Sequence, residues 1–396
     1  ILSLIFSLIF TIIIKYNKLL SPIFIVPLVF LSTEILIAIF VYGFPWFNFS
    51  LIISNNDWIL ISLKHFGTLI TSYLIIQIFC LPYLFLTKKI FKQDIIYFFL
   101  FITLPLVITI FINLNFAKNY VSEKKPINID IFQLNHKTLI IEDNLQIRFK
   151  NIIKHISNSS ADLIIFAENN YPFLIEKLNL QLIQDTLRSD QTVIIGATRK
   201  EKDKYFNSFL NITPLDIKYF DKKILVPFGE FLPFRKFLTF IELISGSNDY
   251  SKGEKNRYIR LNNNYSYIPV ICYEIIFYWK LINNLNKKSN IIINITNDIW
   301  FGDLLGPYQH FYIAKLRAAE FNKPLVRVSN NGISGFIDNN GKILSVTKLN
   351  KIQELKRSIN LKNNKNFYKS HNVLNKYLYF FYLIFFLINL RKYYGR

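Results

Sequence analysis

Residues 267–275 read Tyr267-Ile268-Pro269-Val270-Ile271-Cys272-Tyr273-Glu274-Ile275. An apolar run without period-two alternation leads straight into a thiol and then a carboxylate. Short apolar runs of that kind, rich in β-branched residues and bounded by polar ones, read as strands buried on both faces. Tyr267–Cys272 is therefore predicted to be such a strand, with Cys272 at its carboxyl end. The pattern recurs at Ile127–Leu134, Asp162–Ala167, Thr192–Ala197, Ile291–Thr296 and Leu325–Val328. Between these runs, 142–157 and 307–321 read as helices. The second opens on Pro307, keeps Ala314, Leu316, Ala318 and Ala319 inside, and stops before Pro324, as helix start and stop chemistry predicts. Strands buried on both faces, alternating with helices, predict an α/β sandwich over residues 117–372.

Outward from this segment the composition changes. The 396 residues are 52% hydrophobic and 17% aromatic but only 18% charged, whereas an ordinary soluble domain is about 25% charged. That balance excludes a disordered, collagen-like or disulfide-scaffold chain and argues against an ordinary cytosolic enzyme. The apolar excess sits at the two ends, in runs 1–14, 19–42, 66–87, 95–116 and 377–390. Three of them reach the ~20 residues a bilayer-crossing helix needs. The last is shorter and relies on Lys376 and Arg391 snorkelling to the headgroups. Residues 1–116 are thus expected to form about four membrane spans, and 373–396 a final span with a basic tail. Position 1 is not Met and no Met occurs anywhere, so the chain is expected to start inside a longer protein, with further spans before it.

The formal net charge is +21, but its location speaks against nucleic acid. Lys15 and Lys18, then Lys88, Lys89 and Lys92, then Arg391, Lys392 and Arg396 flank the apolar runs. Placing all three clusters on the cytoplasmic side puts 117–375 outside. The remaining lysines read as solvated surface. Two cysteines, Cys80 and Cys272, offer no disulfide framework. Five histidines without paired ligand spacing offer no metal site, and no cofactor loop occurs.

Three polar residues stand at the borders of apolar runs. Glu168 follows Leu163-Ile164-Ile165-Phe166-Ala167, Cys272 follows Ile271, and Lys222 precedes Ile224-Leu225-Val226-Pro227-Phe228-Gly229-Glu230. Catalytic groups collect at the carboxyl ends of strands in open α/β sheets. A thiol, a carboxylate and an ammonium suffice for covalent acyl transfer: one attacks, one takes the proton, one faces the oxyanion. Spacing alone leaves the other reading open, in which Cys272 is a small buried hydrophobe.

The wording around these residues resembles a known family. Lys222-Lys223-Ile224-Leu225-Val226-Pro227-Phe228-Gly229-Glu230-Phe231, Ile271-Cys272-Tyr273-Glu274-Ile275 and Thr296-Asn297-Asp298-Ile299-Trp300-Phe301-Gly302 look like the apolipoprotein N-acyltransferases. These are membrane-bound members of the nitrilase, or carbon–nitrogen hydrolase, superfamily. Gly306–Phe311, Arg317–Glu320, Ser329–Ile333 and Gly43-Phe44-Pro45-Trp46 continue the resemblance, which covers roughly 30–345. It implies a membrane α-helical bundle plus a nitrilase-like α-β-β-α sandwich. By position it implies Glu168 as general base, Lys222 as the oxyanion lysine and Cys272 as nucleophile. Glu230 and Glu274 become supporting acids, and Tyr273, Trp46 and Trp300 become substrate-side residues. The sequence departs from the family where Phe166-Ala167-Glu168-Asn169 replaces a Trp-Pro before the base and a Thr after it, and where Ile224 replaces a common His.

The implied reaction moves an acyl chain from a membrane phospholipid to Cys272 and then to the amine of a diacylglyceryl-cysteine lipoprotein. It needs no cofactor, no metal and no second subunit, and is expected at a bacterial inner membrane with the catalytic domain on the periplasmic side. Two rivals remain: a membrane-tethered amidase or nitrilase, and a non-catalytic membrane binding or transport protein. Glu34, within run 19–42, reads equally as a functional residue or a satisfied helix contact. Trp46 and Trp58 also fit an aromatic belt, Trp300 fits a loop over the site or core packing, and His310 a core or capping position.

Overall fold

A computed structural model describes residues 22–39, 43–46, 48–60, 63–82, 126–136, 142–175, 180–233, 249–261, 265–282 and 289–361. The chain divides into two compact units. One comprises Ile1–Val121, Ala319–Asn322 and Lys365–Arg396, the other Ser122–Ala318 and Lys323–Asn364.

In the first unit, helix α1 (Pro22–Ile39) contacts helix α2 (Leu63–Phe79), and a 3-10 helix at Phe49–Asn55 contacts α2. Gly67 interrupts α2 with φ 71° and ψ 175°, a conformation that only glycine reaches without steric cost. Phe30 meets Phe49 edge-to-face at 5.3 Å. Glu34 accepts a hydrogen bond from the Phe49 N–H at 2.7 Å and another from Ser72, so it is a satisfied contact. Helix α1 falls within the apolar run 19–42, and α2 overlaps the run 66–87 but begins three residues before it. Among the described residues no helix is long and apolar enough to cross a membrane. The runs 1–14, 95–116 and 377–390 lie outside the described residues.

The second unit is built from two six-stranded sheets. In chain order the strands are β1 (Ile127–Gln133), β2 (Leu163–Phe166), β3 (Thr192–Glu201), β4 (Lys204–Ile212), β5 (Ile217–Asp221), β6 (Ile259–Arg260), β7 (Ser266–Ile271), β8 (Ile291–Thr296), β9 (Leu325–Ser329), β10 (Gly335–Ile337), β11 (Ile343–Val346) and β12 (Gln353–Ile359). The sheet orders are β12-β1-β2-β3-β4-β5 and β11-β10-β9-β8-β7-β6. Each has a parallel trio, β1-β2-β3 or β7-β8-β9, flanked by antiparallel strands.

The six strands expected from sequence are β1, β2, β3, β7, β8 and β9. All are parallel-trio members, and most of their residues are buried. The other six escape the apolar-run criterion. In β12, Gln-Glu-Leu-Lys-Arg-Ser-Ile, half-buried and exposed positions alternate and only Ile359 is buried.

Helices α3 (Glu142–Asn158) and α4 (Leu305–Glu320) match the two expected helices, α4 beginning two residues before Pro307. On α3, Phe149, Ile152, Ile153 and Ile156 recur at three- and four-residue spacing, which places them on one stripe. That stripe covers Phe132, Ile164, Phe166, Val193, Ile195 and Leu210 of the first sheet. Each such fully buried side chain contributes about 1.5–3 kcal/mol. Leu163, Ile165 and Phe209 alternate to the opposite face, where Phe209 meets Tyr267 of the second sheet at 5.7 Å. The Tyr267 hydroxyl donates to Asn211 Oδ1 at 2.6 Å, satisfying a buried polar tip within the sandwich. Phe311 of α4 lies close to Gly335 in β10, which sets α4 against the second sheet.

Candidate active site

The carboxyl ends of β2, β5 and β7 converge. Beyond β2 the chain turns at Ala167-Glu168, with Asn169 at φ 53° and the Ala167 N–H bonded to Asn170 Oδ1 at 2.9 Å. Gly196 on β3 makes this turn possible, because a Cβ there would come within 2.5 Å of Glu168 Cα. Lys222 follows β5 directly. Its N–H donates to Asn207 O and its carbonyl accepts from Gly253 N, both at 2.8 Å. The run Ile224–Glu230, whose border marked Lys222 in the sequence, is a loop and turn rather than a strand. Beyond β7, Cys272 opens a 3-10 turn, Cys272–Ile276, rather than ending the strand. It holds φ 49°, a left-handed conformation costing about 1–2 kcal/mol in a non-glycine residue.

Glu168, Lys222 and Cys272 are 4%, 1% and 6% exposed, so their charges interact in a poorly screened setting. Lys222 Nζ donates to Glu230 Oε1 at 2.8 Å and to Glu168 Oε1 at 3.5 Å. Asn207 Nδ2 spends its two hydrogens on the same two oxygens, at 2.7 Å to Glu168 and 2.8 Å to Glu230. Glu168 Oε2 accepts from Asn297 N at 2.7 Å, and Glu230 Oε2 from Val226 N at 2.8 Å. The Cys272 thiol stands close enough to Glu168 and Lys222 for both charges to act on it.

Burial pushes the Glu168 carboxyl above its ordinary value, against the pull of Lys222. Burial likewise raises the Cys272 thiol, Glu168 adds to the rise, and Lys222 opposes it. For Lys222, burial disfavours the charge, but Glu230 and Glu168 outweigh it and hold the ammonium above its usual value. The resting state is therefore a neutral thiol beside a carboxylate of increased basicity and a firmly cationic lysine. Such a trio can exchange a proton between sulfur and oxygen and hold a positive charge against a developing anion.

Glu274 plays a different part from Glu230. It touches none of the three side chains. Its carboxylate accepts from Lys223 N at 2.8 Å, Ile224 N at 3.1 Å and Ile271 N at 3.0 Å, and from Arg257 at 2.6 Å. Burial would raise this carboxyl, but Arg257 outweighs burial and holds it below its ordinary value. It thereby ties the backbone after Lys222 to the backbone before Cys272. Tyr273 is 2% exposed, and its ring meets Phe277 edge-on at 4.9 Å. Trp300, on the 3-10 turn Asp298–Phe301, is 71% exposed and so is not a core aromatic. Trp46 belongs to the first unit, where it is buried and stacks parallel on Phe44 at 5.7 Å.

Sequence reasoning missed Asn207, which sits in a strand without an apolar-run signature, and Arg257, which precedes the two-residue β6. It also gave no role to Asp298 and Arg327. His310 is fully buried and pairs with Asp298 through Nδ1 at 2.8 Å, in keeping with a core position. Burial and Arg327 lower its pKa to about 4 despite Asp298.

The chain is 32% identical over 322 residues to the apolipoprotein N-acyltransferase of Brucella melitensis, covering 76% of this chain and 60% of that protein. It is 33% identical over 340 residues to the apolipoprotein N-acyltransferase of Wigglesworthia glossinidia brevipalpis, covering 81% and 65%. The chain thus spans about 60–65% of the length of these relatives. Among solved structures, a CN-hydrolase superfamily protein of Xanthomonas campestris matches 60% of this chain and 91% of its own at 14% identity and a TM-score of 0.46. The carbon-nitrogen hydrolase family matches residues 129–363, a stretch that holds all of the second sheet, all but the first two residues of β1 in the other, and all three of Glu168, Lys222 and Cys272, and the chain belongs to that family.

Proposed function

We propose that this protein is an apolipoprotein N-acyltransferase: it takes an acyl chain from a membrane phospholipid onto Cys272 and delivers it to the terminal amine of a diacylglyceryl-cysteine lipoprotein. The observation that carries the reading is the buried meeting of a thiol, a carboxylate and an ammonium at three strand ends. Similarity to proteins bearing that name supports the choice of substrates.

In the first half-reaction the Cys272 sulfur attacks the ester carbonyl carbon while Glu168 takes the thiol proton. The carbonyl π electrons move onto oxygen, and Lys222 faces that oxyanion. Collapse expels the glycerol oxygen, which takes the proton back from Glu168 and leaves as a lysophospholipid. In the second half-reaction the acceptor amine attacks the thioester and Glu168 receives its proton. Cys272 is then expelled and reprotonated, and an amide remains. Because burial keeps the resting thiol neutral, the nucleophile is generated in the act of attack. A carboxylate with raised pKa is the stronger base for that step. Lys222 is held cationic by Glu230 as well as Glu168, so it keeps its charge while Glu168 is transiently protonated.

The reading includes a multi-pass chain in the bacterial inner membrane, with residues 117–372 on its outer side, where two lipid-anchored substrates reach the site by lateral diffusion. The test is incubation of the purified full chain with acyl-labelled phospholipid, followed by mass spectrometry of the Cys272 peptide and a chase with a diacylglyceryl-cysteine peptide. An acyl thioester that chases into amide is expected. A thioester that discharges only to water would overturn the transfer reading in favour of a hydrolase, and absence of any thioester would overturn covalent catalysis.

A further inference from the structure

Asn207 is a neutral residue among the charges of the site, and the reaction above gives it no task. It lies on β4, is 2% exposed, and carries its amide to two carboxylates. Nδ2 donates to Glu168 Oε1 at 2.7 Å and to Glu230 Oε1 at 2.8 Å. Its backbone carbonyl accepts from Lys222 N at 2.8 Å, so one residue holds the base, the supporting acid and the chain of the lysine. These partners settle the amide orientation, since the reverse would set Oδ1 against two carboxylate oxygens. The orientation carries a cost: among the described residues the buried Oδ1 has no hydrogen-bond partner, and a buried acceptor left unpaired lowers stability. An apolar residue of the same volume would avoid that cost but could not bridge the two acids.

The donors around the two acids are unevenly shared. A carboxylate offers about four lone-pair positions. At Glu168, Oε1 receives Asn207 at 2.7 Å and Lys222 at 3.5 Å, and Oε2 receives Asn297 N at 2.7 Å. The position left is on Oε2. At Glu230, Oε1 receives Lys222 and Asn207, both at 2.8 Å, and Oε2 is turned back onto its own loop by Val226 N at 2.8 Å. The short bond on Glu168 Oε1 therefore comes from a neutral amide, while the ammonium gives its short bond to Glu230. An ammonium has three hydrogens, and one remains for a developing oxyanion.

We propose that Asn207 is a positioning residue for the general base: by giving one hydrogen to Glu168 Oε1 and the other to Glu230 Oε1, it holds the base beside Lys222 with Oε2 open to receive the thiol proton. The inference rests on the reading of Glu168 as base and Cys272 as nucleophile. Asn207 acts through Glu168 and never meets the substrate. The titratable and charged groups that act on Glu168 are Lys222 and Glu230 after β5, Tyr250 before β6 and Cys272 after β7. Burial pushes the Glu168 carboxyl up, and Lys222 and the Asn207 hydrogen bond oppose that rise, because a hydrogen bond to the charged form favours it.

The test is the pH dependence of Cys272 alkylation by iodoacetamide in the full chain, read by mass spectrometry with Cys80→Ala as background. It needs no lipid. In the wild type the rate should climb as Glu168 ionises and becomes able to take the thiol proton. Asn207→Leu removes both hydrogen bonds at similar volume, and the midpoint of that climb should move up by about 1–2 units, the worth of one hydrogen bond to a charged group. Asn207→Asp keeps the shape but adds a third acid; it should also move the midpoint up, and it covers the case in which Asn207→Leu does not fold. A residue that only supports the fold would lower the folded fraction without moving the midpoint. An unchanged or lowered midpoint in either folded variant overturns the proposal, and so does failure of both variants to fold, which would leave Asn207 a structural role alone. Glu168→Gln on the same profile keeps the underlying reading separate. The climb should vanish from the neutral range, and its persistence there would overturn Glu168 as the base whatever Asn207 does.

Discussion

Replacing Lys222 by Met tests the electrostatics of the site separately from its chemistry. Lys222 is the cation between Glu168 and Glu230, whose side chains are 4% and 12% exposed, and its own side chain is 1% exposed. Two unit charges 4 Å apart interact by about 4 kcal/mol at an effective dielectric constant of about 20. Both of its contacts are shorter, at 2.8 and 3.5 Å. Met fills the volume but leaves two carboxylates sharing Asn207 with no cation between them. Removing one partner of a buried pair costs about 3–5 kcal/mol, which in a unit of this size is roughly 6–20 °C in Tm. The sign with pH follows from Glu168, whose carboxyl is already raised in the fold and rises further without the pull of Lys222. A carboxyl raised above its unfolded value of about 4.3 contributes most below that value, and its contribution is lost as pH rises through the folded value. The gap in Tm between wild type and Lys222→Met should therefore be smaller near pH 5 than near pH 8. Thermal unfolding of the full chain in detergent, followed across pH, is the assay. A gap independent of pH, or a variant as stable as wild type at about pH 8, would refute the coupling of the three charges.

Cys272→Ala and Cys272→Ser are expected to abolish the acyl thioester while leaving the fold intact, since trimming one buried sulfur costs only ~1 kcal/mol; mass spectrometry and thermal unfolding read the two properties. Glu168→Gln should slow single-turnover acylation across the neutral range, because burial keeps the thiol protonated when no base takes its proton; acylation as fast as in the wild type would remove Glu168 from the base role. Arg257→Met strands Glu274, which is 0% exposed, and should destabilise by about 3–5 kcal/mol. In the wild type the lowered Glu274 carboxyl contributes stability above the unfolded carboxyl value, lost as pH falls through the folded one, so the cost of Arg257→Met should shrink in acid; equal cost at all pH argues against the pair. For topology, with Cys80 and Cys272 replaced by Ala, a cysteine placed in 350–365 should react with an impermeant thiol reagent in spheroplasts and one in 88–94 should not, the opposite result inverting the orientation.

The parts of the fold legible in the sequence are those whose physics is written in consecutive residues. A strand buried on both faces must be apolar throughout, so β1, β2, β3, β7, β8 and β9 stand out. Strands with one polar side or a short span do not. β4 carries Lys204, Asn207 and Asn211 among its apolar residues, and β6 is only two residues long. Glu168 and Cys272 were legible because each interrupts such a run at its end. Lys222 was found from its wording, since the run after it is a loop and the strand before it, Ile217–Asp221, is half-exposed.

What stayed hidden were the partners that set the charges, because each depends on contacts remote in sequence. Asn207 lies 39 residues from Glu168 and Arg257 lies 17 from Glu274. Polarity at a strand position predicts burial only if a partner waits there, and a single sequence does not say which partner. The same applies to Asp298, 29 residues from Arg327 and 12 from His310. A buried Arg inside Leu325-Val326-Arg327-Val328-Ser329 was nevertheless a signal of a kind. A guanidinium cannot be buried in a strand without an anion to meet it. Among nearby acids, Asp298 sits just after a parallel neighbour, two residues past the end of β8. Pairing the charged residues of adjacent parallel strands leads from Arg327 to Asp298.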